Sequence, residues 1–370
     1  MKVLLCASAY PPASGGVQSY AYSMALHLAQ RGNELWVLAR SKERAPELDA
    51  RVGARRTLRL GSKLSLWPSF AWAIMAGRPQ AVFLTHRADF LRPALMWRRL
   101  LGLPVVVTIH GNELYGSPRR EALVEALKKA QAVITVSRYG RGRLLAMGLE
   151  EGKVFAIPNG VEPGAFDPWL DGSPLRQRLG LEGKKILLSV GRLVRVKGFD
   201  IAIQALPEVV RALPEVVYVL VGSGPEEGGL KALSRKLGLE GRVIFAGEVP
   251  HEELSRPEAA FYNACDLFVM PSREDRQSGA VEAFGIAFLE AAACAKPVVG
   301  ARSGGAEEAV IDGKTGLLVE PENPGALARA IITLLGDREL SERLGAAGRE
   351  RVERELNWER AAAQVEGVLR

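Results

Sequence analysis

The sequence predicts an α/β protein built from two doubly wound parallel-sheet domains that face a cleft. Apolar, β-branched runs alternate with segments of helical period along both halves of the chain, which is typical of parallel sheets covered by helices on both faces. One segment rich in proline and glycine, residues 157–168, interrupts this alternation. The length of 370 residues also exceeds that of one ordinary core. We therefore predict an N-terminal domain over residues 1–168 and a C-terminal domain over residues 169–355.

The first half supplies five predicted strands and four predicted helices. Each strand is a short apolar run that ends at a turn-forming or polar residue. The strands are predicted over residues 3–7, 34–39, 81–85, 105–110 and 132–136. The helices are predicted over residues 17–31, 93–101, 117–130 and 138–147.

The second half repeats this pattern after the interruption. Its strands are predicted over residues 185–190, 216–221, 243–246, 267–270 and 298–300. Its helices are predicted over residues 198–213, 227–237, 257–264, 286–295 and 325–335. A final helix rich in Ala and Arg is predicted over residues 356–369.

The two halves differ in charge. Residues 1–170 hold 23 Lys and Arg against 12 Asp and Glu, a net charge of +11, whereas residues 171–370 hold 26 against 30, a net charge of −4. A basic half suits a nucleic acid, an anionic membrane or a phosphorylated substrate. Basic and aromatic residues do not recur as a nucleic-acid-binding module, so nucleic acid is not the expected partner.

The three cysteines, Cys6, Cys265 and Cys294, lie in apolar segments without the spacing of a metal site. We interpret them as small core residues of a protein in a reducing compartment, which predicts a cytoplasmic location. No apolar run reaches the ~20 residues that a membrane-spanning helix needs.

Segment 191–198 predicts a phosphate-binding loop. Gly191 and Arg192 follow a strand, and Lys197 and Gly198 open a helix. Glycine lets backbone approach a ligand, and a helix start presents free N–H groups with a positive dipole. The guanidinium can bind two oxyanions side by side, while the ammonium adds a point charge. Cations on a solvated loop are the alternative, but the position at a strand end between glycines favours a diphosphate.

Two motifs in the first half are ambiguous when taken alone. Gly15 and Gly16 lie between a strand and a helix, where many tight turns have the same composition. His110 ends a strand beside a glycine, and such a histidine is either a structural residue or a ligand-binding one. Both become candidates for a site because ligands in doubly wound sheets bind beyond the carboxyl ends of strands.

Glu282 and Glu290 bracket an apolar segment that is predicted to enter a helix near Gly285. Two carboxylates suggest the acid and nucleophile of a glycosidase, but no other feature supports hydrolysis. Carboxylates also accept hydrogen bonds from sugar hydroxyls, and the helix start at residues 284–286 would add backbone N–H donors. Hydrogen bonding to sugar hydroxyls therefore suits the pair equally well.

Together these segments resemble the family 4 retaining glycosyltransferases, whose GT-B fold consists of two Rossmann-like domains. The resemblance covers nearly the whole chain. The segments that carry it are residues 15–17, 110–111, 136–137, 158–161, 191–198 and 282–290. The charged loop 271–279, which precedes the first glutamate, is similar to that of the mannosyltransferase branch acting on lipids.

The resemblance implies a set of site residues. Those expected to be catalytic are His110, Arg192, Lys197 and Glu282. Those expected to bind the donor are Gly15, Gly16, Gly191, Gly198, Phe284, Gly285, Ile286 and Glu290. The resemblance also implies that no metal and no cofactor is needed, and that helix 356–370, including Trp358, crosses back onto the N-terminal domain.

Each of these residues has an implied role. Arg192 and Lys197 would hold the donor diphosphate, and Glu282 with the amides of residues 284–286 would hold hydroxyls of the transferred sugar. Glu290 would meet the ribose, and His110 would meet the sugar from the opposite domain. Gly16 would cover the phosphates near the reaction centre.

The implied reaction is transfer of a hexose from a nucleotide-diphosphate sugar, GDP-mannose or a UDP-sugar, by front-face displacement with retention. The acceptor is expected to be a lipid-linked molecule or a glycan. A nucleotide-sugar epimerase of similar architecture is the alternative. The segment 247–250 is expected to contact the base but does not discriminate guanine from uracil.

Basic and aromatic residues alternate in the predicted acceptor-binding domain. They are Arg51, Arg55, Arg56, Arg59, Lys63, Trp67, Phe70, Trp72, Trp97, Arg98 and Arg99. On one interpretation they lie on an anionic membrane, which would place the protein peripherally on the inner face of the bilayer. On the other, the aromatic residues belong to the core and the arginines to a solvated face.

Overall fold

The computed structural model divides the chain into two units, each with one parallel sheet. The first unit contains Met1–Gly160 and Trp358–Arg370, and the second contains Val161–Asn357. The predicted boundary at residue 168 therefore lies inside the second unit. The structure describes all residues except 13–14, 42, 44, 63, 87–88, 112, 114–119 and 250–260.

The first unit alternates strands and helices from its first residues. Its strands are β1 (Lys2–Ala7), β2 (Glu34–Ala39), β3 (Arg56–Arg59), β4 (Ala81–Leu84), β5 (Val105–Ile109), β6 (Ala132–Thr135) and β7 (Val154–Ala156). Its helices up to residue 160 are α1 (Gly16–Gln30), α2 (Pro46–Val52), α3 (Leu66–Gly77), α4 (Leu91–Leu101), α5 (Arg120–Lys128) and α6 (Arg138–Ala146).

The seven strands are parallel and have the order β3-β2-β1-β4-β5-β6-β7. The strand order reverses between β1 and β4, where a doubly wound sheet opens a crevice at its carboxyl edge. Helices α3, α4 and α5 cover one face of the sheet and bury a common core, which includes Phe70, Leu91 and Leu127. The loops that follow β1 and β5 therefore lie at the edge where a ligand site is expected.

The second unit builds a six-stranded parallel sheet. Its strands are β8 (Lys185–Val190), β9 (Val216–Val221), β10 (Val243–Gly247), β11 (Leu267–Met270), β12 (Val298–Ala301) and β13 (Leu317–Val319). Its helices are α7 (Ser173–Arg178), α8 (Phe199–Ala212), α9 (Glu227–Lys236), α10 (Phe261–Ala264), α11 (Ile286–Ala293), α12 (Ala306–Ala309), α13 (Pro324–Gly336) and α14 (Arg338–Arg354). The strand order is β10-β9-β8-β11-β12-β13, so the reversal falls between β8 and β11.

The last helix, α15 (Trp358–Leu369), packs against α1 of the first unit. Glu366 on α15 is 5% exposed, and its carboxylate accepts hydrogen bonds from Arg31 at 2.7 Å and from Asn33 at 3.4 Å. The hydrogen bond from Arg31 is the largest of the effects that lower the pKa of Glu366. A buried carboxylate is costly unless it is paired, so this cluster fixes where α15 docks.

The predicted strands and most of the predicted helices are confirmed, but several elements were not predicted. These are β3, β7 and β13 among the strands and α2, α3, α7, α12 and α14 among the helices. The predicted helix over residues 257–264 is described only at Phe261–Ala264, and the rest lies outside the described residues. Cys6, Cys265 and Cys294 are buried and free, as predicted, and burial raises the pKa of Cys265 to about 12.

Two members of the basic and aromatic set do not lie on an exposed surface. Phe70 is 0% exposed and belongs to the core. The Arg59 guanidinium binds both carboxylate oxygens of Asp49 at 2.7 and 2.8 Å and lies over the ring of Tyr10. The guanidinium of Arg59 is therefore engaged in contacts within the first unit. Lys63 lies outside the described residues.

Trp67 and Trp72 of the predicted set are exposed, together with further apolar side chains on or next to α3 and α4. We call this group the α3–α4 apolar surface; it consists of Leu64, Trp67, Trp72, Met75, Met96, Leu100 and Leu101. The two helices are neighbours, because the ring of Phe70 on α3 lies 6.4 Å from that of Phe90 at the start of α4. Among the described residues, no helix combines the length and the apolar composition needed to cross a membrane.

Candidate active site

The loop after β8 carries the predicted phosphate-binding residues to the start of α8. Gly191 follows the strand, one turn of 3-10 helix covers Arg195–Lys197, and Gly198 precedes α8. Gly198 has a φ of +69°, and a Cβ at this position would lie 2.0 Å from the carbonyl oxygen of Pro271. Only glycine allows α8 to begin this close to the loop that follows β11.

Lys197 and Glu282, which were predicted separately, form an ion pair. The Lys197 Nζ atom lies 2.6 Å from Oε2 of Glu282, and the Ser272 hydroxyl donates to the same oxygen at 3.3 Å. Glu282 is 8% exposed, so its charge is largely removed from water. Since the two groups are 85 positions apart in sequence, the reversal of strand order at β8 and β11 is what brings them together.

Arg192 differs from Lys197 in being exposed. Within the part of the chain that the structure describes, its guanidinium makes no ion pair or hydrogen bond. An exposed guanidinium at the carboxyl edge of a strand is available to an oxyanion ligand. The loop therefore offers one cation paired with a carboxylate and a second cation without a protein partner among the described residues.

The glycine turn at residues 303–305 holds the Glu282 segment in place. The Gly305 amide donates to the carbonyl oxygen of Glu282 at 2.9 Å. A Cβ on Gly305 would lie 2.0 Å from the carbonyl oxygen of Ala283. The two backbones are therefore in direct contact, and the turn fixes the height of Glu282 above the sheet.

Helix α11 begins as predicted, directly after Gly285. Gly285 has a φ of +93°, and no side chain caps the helix. The amide N–H groups of Phe284, Gly285 and Ile286 donate to no acceptor among the described residues. Amides at a helix start attract electronegative ligand atoms through their N–H groups and the helix dipole. This helix start is thus built to receive a polar ligand.

Glu290 lies one turn further along α11 and is 4% exposed. Its Oε2 atom accepts a hydrogen bond from the hydroxyl of Tyr262 on α10. Burial, followed by the nearby charge of Glu290, raises the pKa of Tyr262 well above its usual value. Tyr262 therefore keeps its proton and remains a donor.

In the first unit, His110 follows β5 and is held on two sides. Its Nε2 atom lies 2.8 Å from the carbonyl oxygen of Thr85, and its backbone amide donates to the carboxylate of Glu113 at 3.1 and 3.2 Å. The ring of Tyr20 packs edge-on against it at a centroid distance of 4.8 Å. Because a carbonyl oxygen only accepts, Nε2 carries the proton, and Nδ1 of the neutral ring is then the acceptor.

The glycine loop of the first unit precedes α1. Gly15 has a φ of +137°, and α1 begins at Gly16 without a side-chain cap. The preceding serine, residue 14, lies outside the described residues. The structure thus places Gly15, Gly16 and His110 in the first unit, and Arg192, Lys197, Glu282 and Glu290 in the second.

Both halves of the chain match family models of sugar-transferring enzymes. Residues 14–164 match the model described as "Glycosyltransferase Family 4", and residues 173–351 match "Glycosyl transferases group 1". A GDP-mannose-dependent alpha-(1-6)-phosphatidylinositol monomannoside mannosyltransferase from Mycolicibacterium smegmatis is 33% identical over 378 residues, covering 99% of this chain and 98% of that protein.

The chain belongs to glycosyltransferase family 4.

A further relative and a solved structure are similar to this family 4 enzyme over nearly its whole length. A GDP-mannose-dependent monoacylated alpha-(1-6)-phosphatidylinositol monomannoside mannosyltransferase from Corynebacterium glutamicum is 29% identical, covering 100% of this chain and 97% of that one. Among solved structures, the Anabaena HepE protein in complex with UDP and glucose superposes with a TM-score of 0.80 at 24% identity, covering 100% and 99% of the two chains. That likeness shows the GT-B fold, as predicted.

Two features of the family 4 site were not predicted from the sequence. Tyr262 falls within a predicted helix and carried no signal of its own, and Ser272 belongs to a loop that was noted only for its charge. Among the described residues, no group of three or more His, Cys, Asp and Glu side chains is arranged to hold a metal ion.

Proposed function

We propose that this glycosyltransferase moves a mannosyl residue from GDP-mannose to a lipid-linked acceptor of the phosphatidylinositol mannoside class. The observation that carries the proposal is the Lys197–Glu282 ion pair beside the three undonated amides at the start of α11. This arrangement offers a cation for a phosphate, and a carboxylate and N–H groups for sugar hydroxyls. The choice of GDP-mannose and of a lipid acceptor is supported by the names of two relatives, one from Mycolicibacterium smegmatis and one from Corynebacterium glutamicum.

Each predicted residue then has a role in binding the donor. Arg192 and Lys197 hold the diphosphate at the start of α8, and Glu282 and the α11 amides orient the sugar. An ammonium has three N–H donors, so Lys197 can keep its contact with Glu282 while donating to a phosphate oxygen. Glu290 receives the ribose hydroxyls.

We propose roles for three residues of the first unit as well. His110 accepts from a sugar hydroxyl through Nδ1, because Nε2 is committed to Thr85. Gly15 and Gly16 cover the phosphates with backbone that carries no side chain.

We propose front-face displacement with retention. The acceptor oxygen forms a bond to the anomeric carbon on the face from which the diphosphate leaves, as the bond from that carbon to the phosphate oxygen breaks. The proton of the acceptor hydroxyl goes to an oxygen of the departing phosphate. Arg192, Lys197 and the helix dipole stabilise the negative charge that develops there, and the proposed reaction uses no metal.

The proposal is tested by mixing the protein with GDP, UDP and their mannose and glucose conjugates and following thermal unfolding. A ligand that binds only the folded state at 100 times its Kd adds about 2.7 kcal/mol of stability, so GDP-mannose is expected to raise the Tm most. With a phosphatidylinositol mannoside acceptor, GDP and a mannosylated lipid should appear together. Conversion of the donor without acceptor would indicate the epimerase alternative, which neither matching family model supports.

We further propose that the α3–α4 apolar surface rests on an anionic membrane, which would place the enzyme peripherally on the inner face. Leu64, Trp67 and Met75 are 90%, 46% and 64% exposed, and exposed apolar patches often mark interaction surfaces. The same part of the chain has exposed arginines at positions 55, 56, 78, 92 and 99. Arg56 lies over the ring of Trp72 at 5.0 Å. Exposed apolar side chains together with cations suit anionic lipid headgroups.

The protein is therefore expected to sediment with vesicles that contain anionic lipid at low salt and to be released at high salt. Trp67→Ala should weaken the binding of vesicles roughly fivefold to tenfold. About half of this large apolar side chain is exposed in the free protein and would become buried in the membrane. Trp169→Ala is the matched control, since Trp169 is 90% exposed but belongs to the second unit. Equal losses for the two variants, or no binding at any salt concentration, would contradict the proposed surface.

A further inference from the structure

The Tyr262–Glu290 pair is buried, with only the glutamate slightly exposed. Tyr262 is 0% exposed and Glu290 is 4% exposed, and the phenolic hydroxyl donates to the carboxylate. An ionised carboxylate at this depth requires hydrogen-bond donors. Hydrogen bonds to charged groups are about twice as strong as neutral ones, so this contact restricts the rotation of the carboxylate.

The ring of Tyr262 is itself held rigidly. It packs edge-on against Phe166 at 5.8 Å and in a tilted arrangement against Phe268 of β11 at 5.9 Å. Phe268 in turn contacts Phe288 of α11 edge-on at 5.6 Å. The hydroxyl therefore occupies a fixed position relative to α11, the helix that carries Glu290.

The donor state of Tyr262 is also constant. Burial raises its pKa, and the neighbouring carboxylate raises it further, so the phenol keeps its proton across the physiological range. A carboxylate can accept about four hydrogen bonds. The bond from Tyr262 restricts the orientation of Glu290 and occupies only one of these positions.

We infer that Tyr262 is a positioning residue that orients the Glu290 carboxylate toward the ribose of the nucleotide donor and so sets the affinity for that nucleotide. The inference rests on the proposed function, in which Glu290 receives the ribose hydroxyls. Tyr262 does not touch the reacting atoms, so its removal affects donor binding more than the chemical step.

The test compares the binding of GDP with that of 2′,3′-dideoxy-GDP, which lacks both ribose hydroxyls. Wild-type protein prefers GDP. Tyr262→Phe weakens GDP binding and raises the KM for donor roughly tenfold, leaves kcat nearly unchanged, and shrinks the preference for GDP over the dideoxy analogue. Calorimetry gives the affinities, and thermal unfolding gives the folded fraction of each variant.

Tyr218→Phe is the matched control. Tyr218 is also 0% exposed in the second unit, and its hydroxyl is bonded to Ser189 at 2.7 Å rather than to a carboxylate. This variant loses one buried phenolic hydrogen bond and keeps the full preference for GDP. A merely structural role for Tyr262 would lower stability in both variants and leave the ratio of the two affinities unchanged, which would overturn the inference.

If Y262F alone fails to fold, the double variant Y262F/E290Q is used in its place. Changing both partners of a buried hydrogen bond costs less stability than changing one. The double variant's ratio of GDP to dideoxy-GDP affinity is expected to equal that of E290Q alone. A further fall in the double variant would show that Tyr262 acts independently of Glu290 and would overturn the inference. If wild-type protein binds neither GDP nor UDP, the proposed function fails as well; if it binds GDP and only the Tyr262 results fail, the inference alone is wrong.

Discussion

Replacing Lys197 with alanine is expected to lower turnover by about 100-fold or more, a typical loss for a group that stabilises charge in a transition state. In the proposed reaction the departing diphosphate gains negative charge, and Lys197 is the cation that the structure places against Glu282 at 2.6 Å. The turnover of the purified variant is measured with saturating donor and acceptor and expressed per folded molecule. Circular dichroism and thermal unfolding give the folded fraction, because the variant also leaves Glu282 buried without its cation.

Lys231→Ala is the matched control for Lys197→Ala. Lys231 also lies 2.6 Å from a glutamate, Glu227, but both side chains are more than a third exposed. An exposed pair of this kind contributes about 0–1 kcal/mol, so turnover should be unchanged. Near-wild-type turnover of folded Lys197→Ala would remove Lys197 from the proposed mechanism.

Replacing Gly198 with alanine is expected to destabilise the protein by roughly 3–5 kcal/mol, from a left-handed backbone and a forced overlap together. The new Cβ would lie 2.0 Å from the carbonyl oxygen of Pro271, so either α8 or the loop after β11 must move. Because that movement separates Lys197 from Glu282, affinity for the donor should also fall at least tenfold. Thermal unfolding and nucleotide binding measure the two effects.

Gly238→Ala isolates the backbone part of this effect. Gly238 has a φ of +67°, almost the value at Gly198, but a Cβ there would meet nothing within 4 Å. Its loss of stability should be about 1–2 kcal/mol, the cost of the left-handed conformation alone, with unchanged donor affinity. Equal effects at the two positions would mean that the close contact with Pro271 is unimportant.

The sequence predicted the structure correctly where a glycine is required by the backbone conformation. The start of α11 was predicted because a glycine precedes an apolar helical segment, and the structure has Gly285 at that position with a positive φ. Residues 191–198 were recognisable for the same reason, since glycines flank the cations between a strand and a helix.

The strands and helices that were not predicted lack the usual pattern of apolar and polar residues for their type. Strand β3 is a short edge strand with arginine at both ends, and no residue of it is fully buried. Helix α3 has Pro68 in its first turn and exposes Trp67, Trp72 and Met75, so its outer face lacks the polar half of an amphipathic helix. Helix α14 is mostly charged and buries only four of its residues.

The contacts within the site were beyond prediction because they depend on strand order. Tyr262 and Glu290 are 28 positions apart, and Lys197 and Glu282 are 85 apart. No local pattern encodes which strands become neighbours. The residue types of the site could therefore be named, whereas their pairing required the sheet.

The docking of α15 on α1 has a consequence for how the protein folds during synthesis. Domains usually fold as units in the order in which they leave the ribosome, but the first unit is completed by residues that follow the whole of the second unit. Until Trp358 arrives, Tyr20 lacks the aromatic ring that packs edge-on against it at 6.0 Å, and Arg31 lacks Glu366. Tyr20 is also the ring that contacts His110. The nascent N-terminal unit therefore has one side of α1 uncovered, and His110 is supported on that side only after nearly the entire chain has been made.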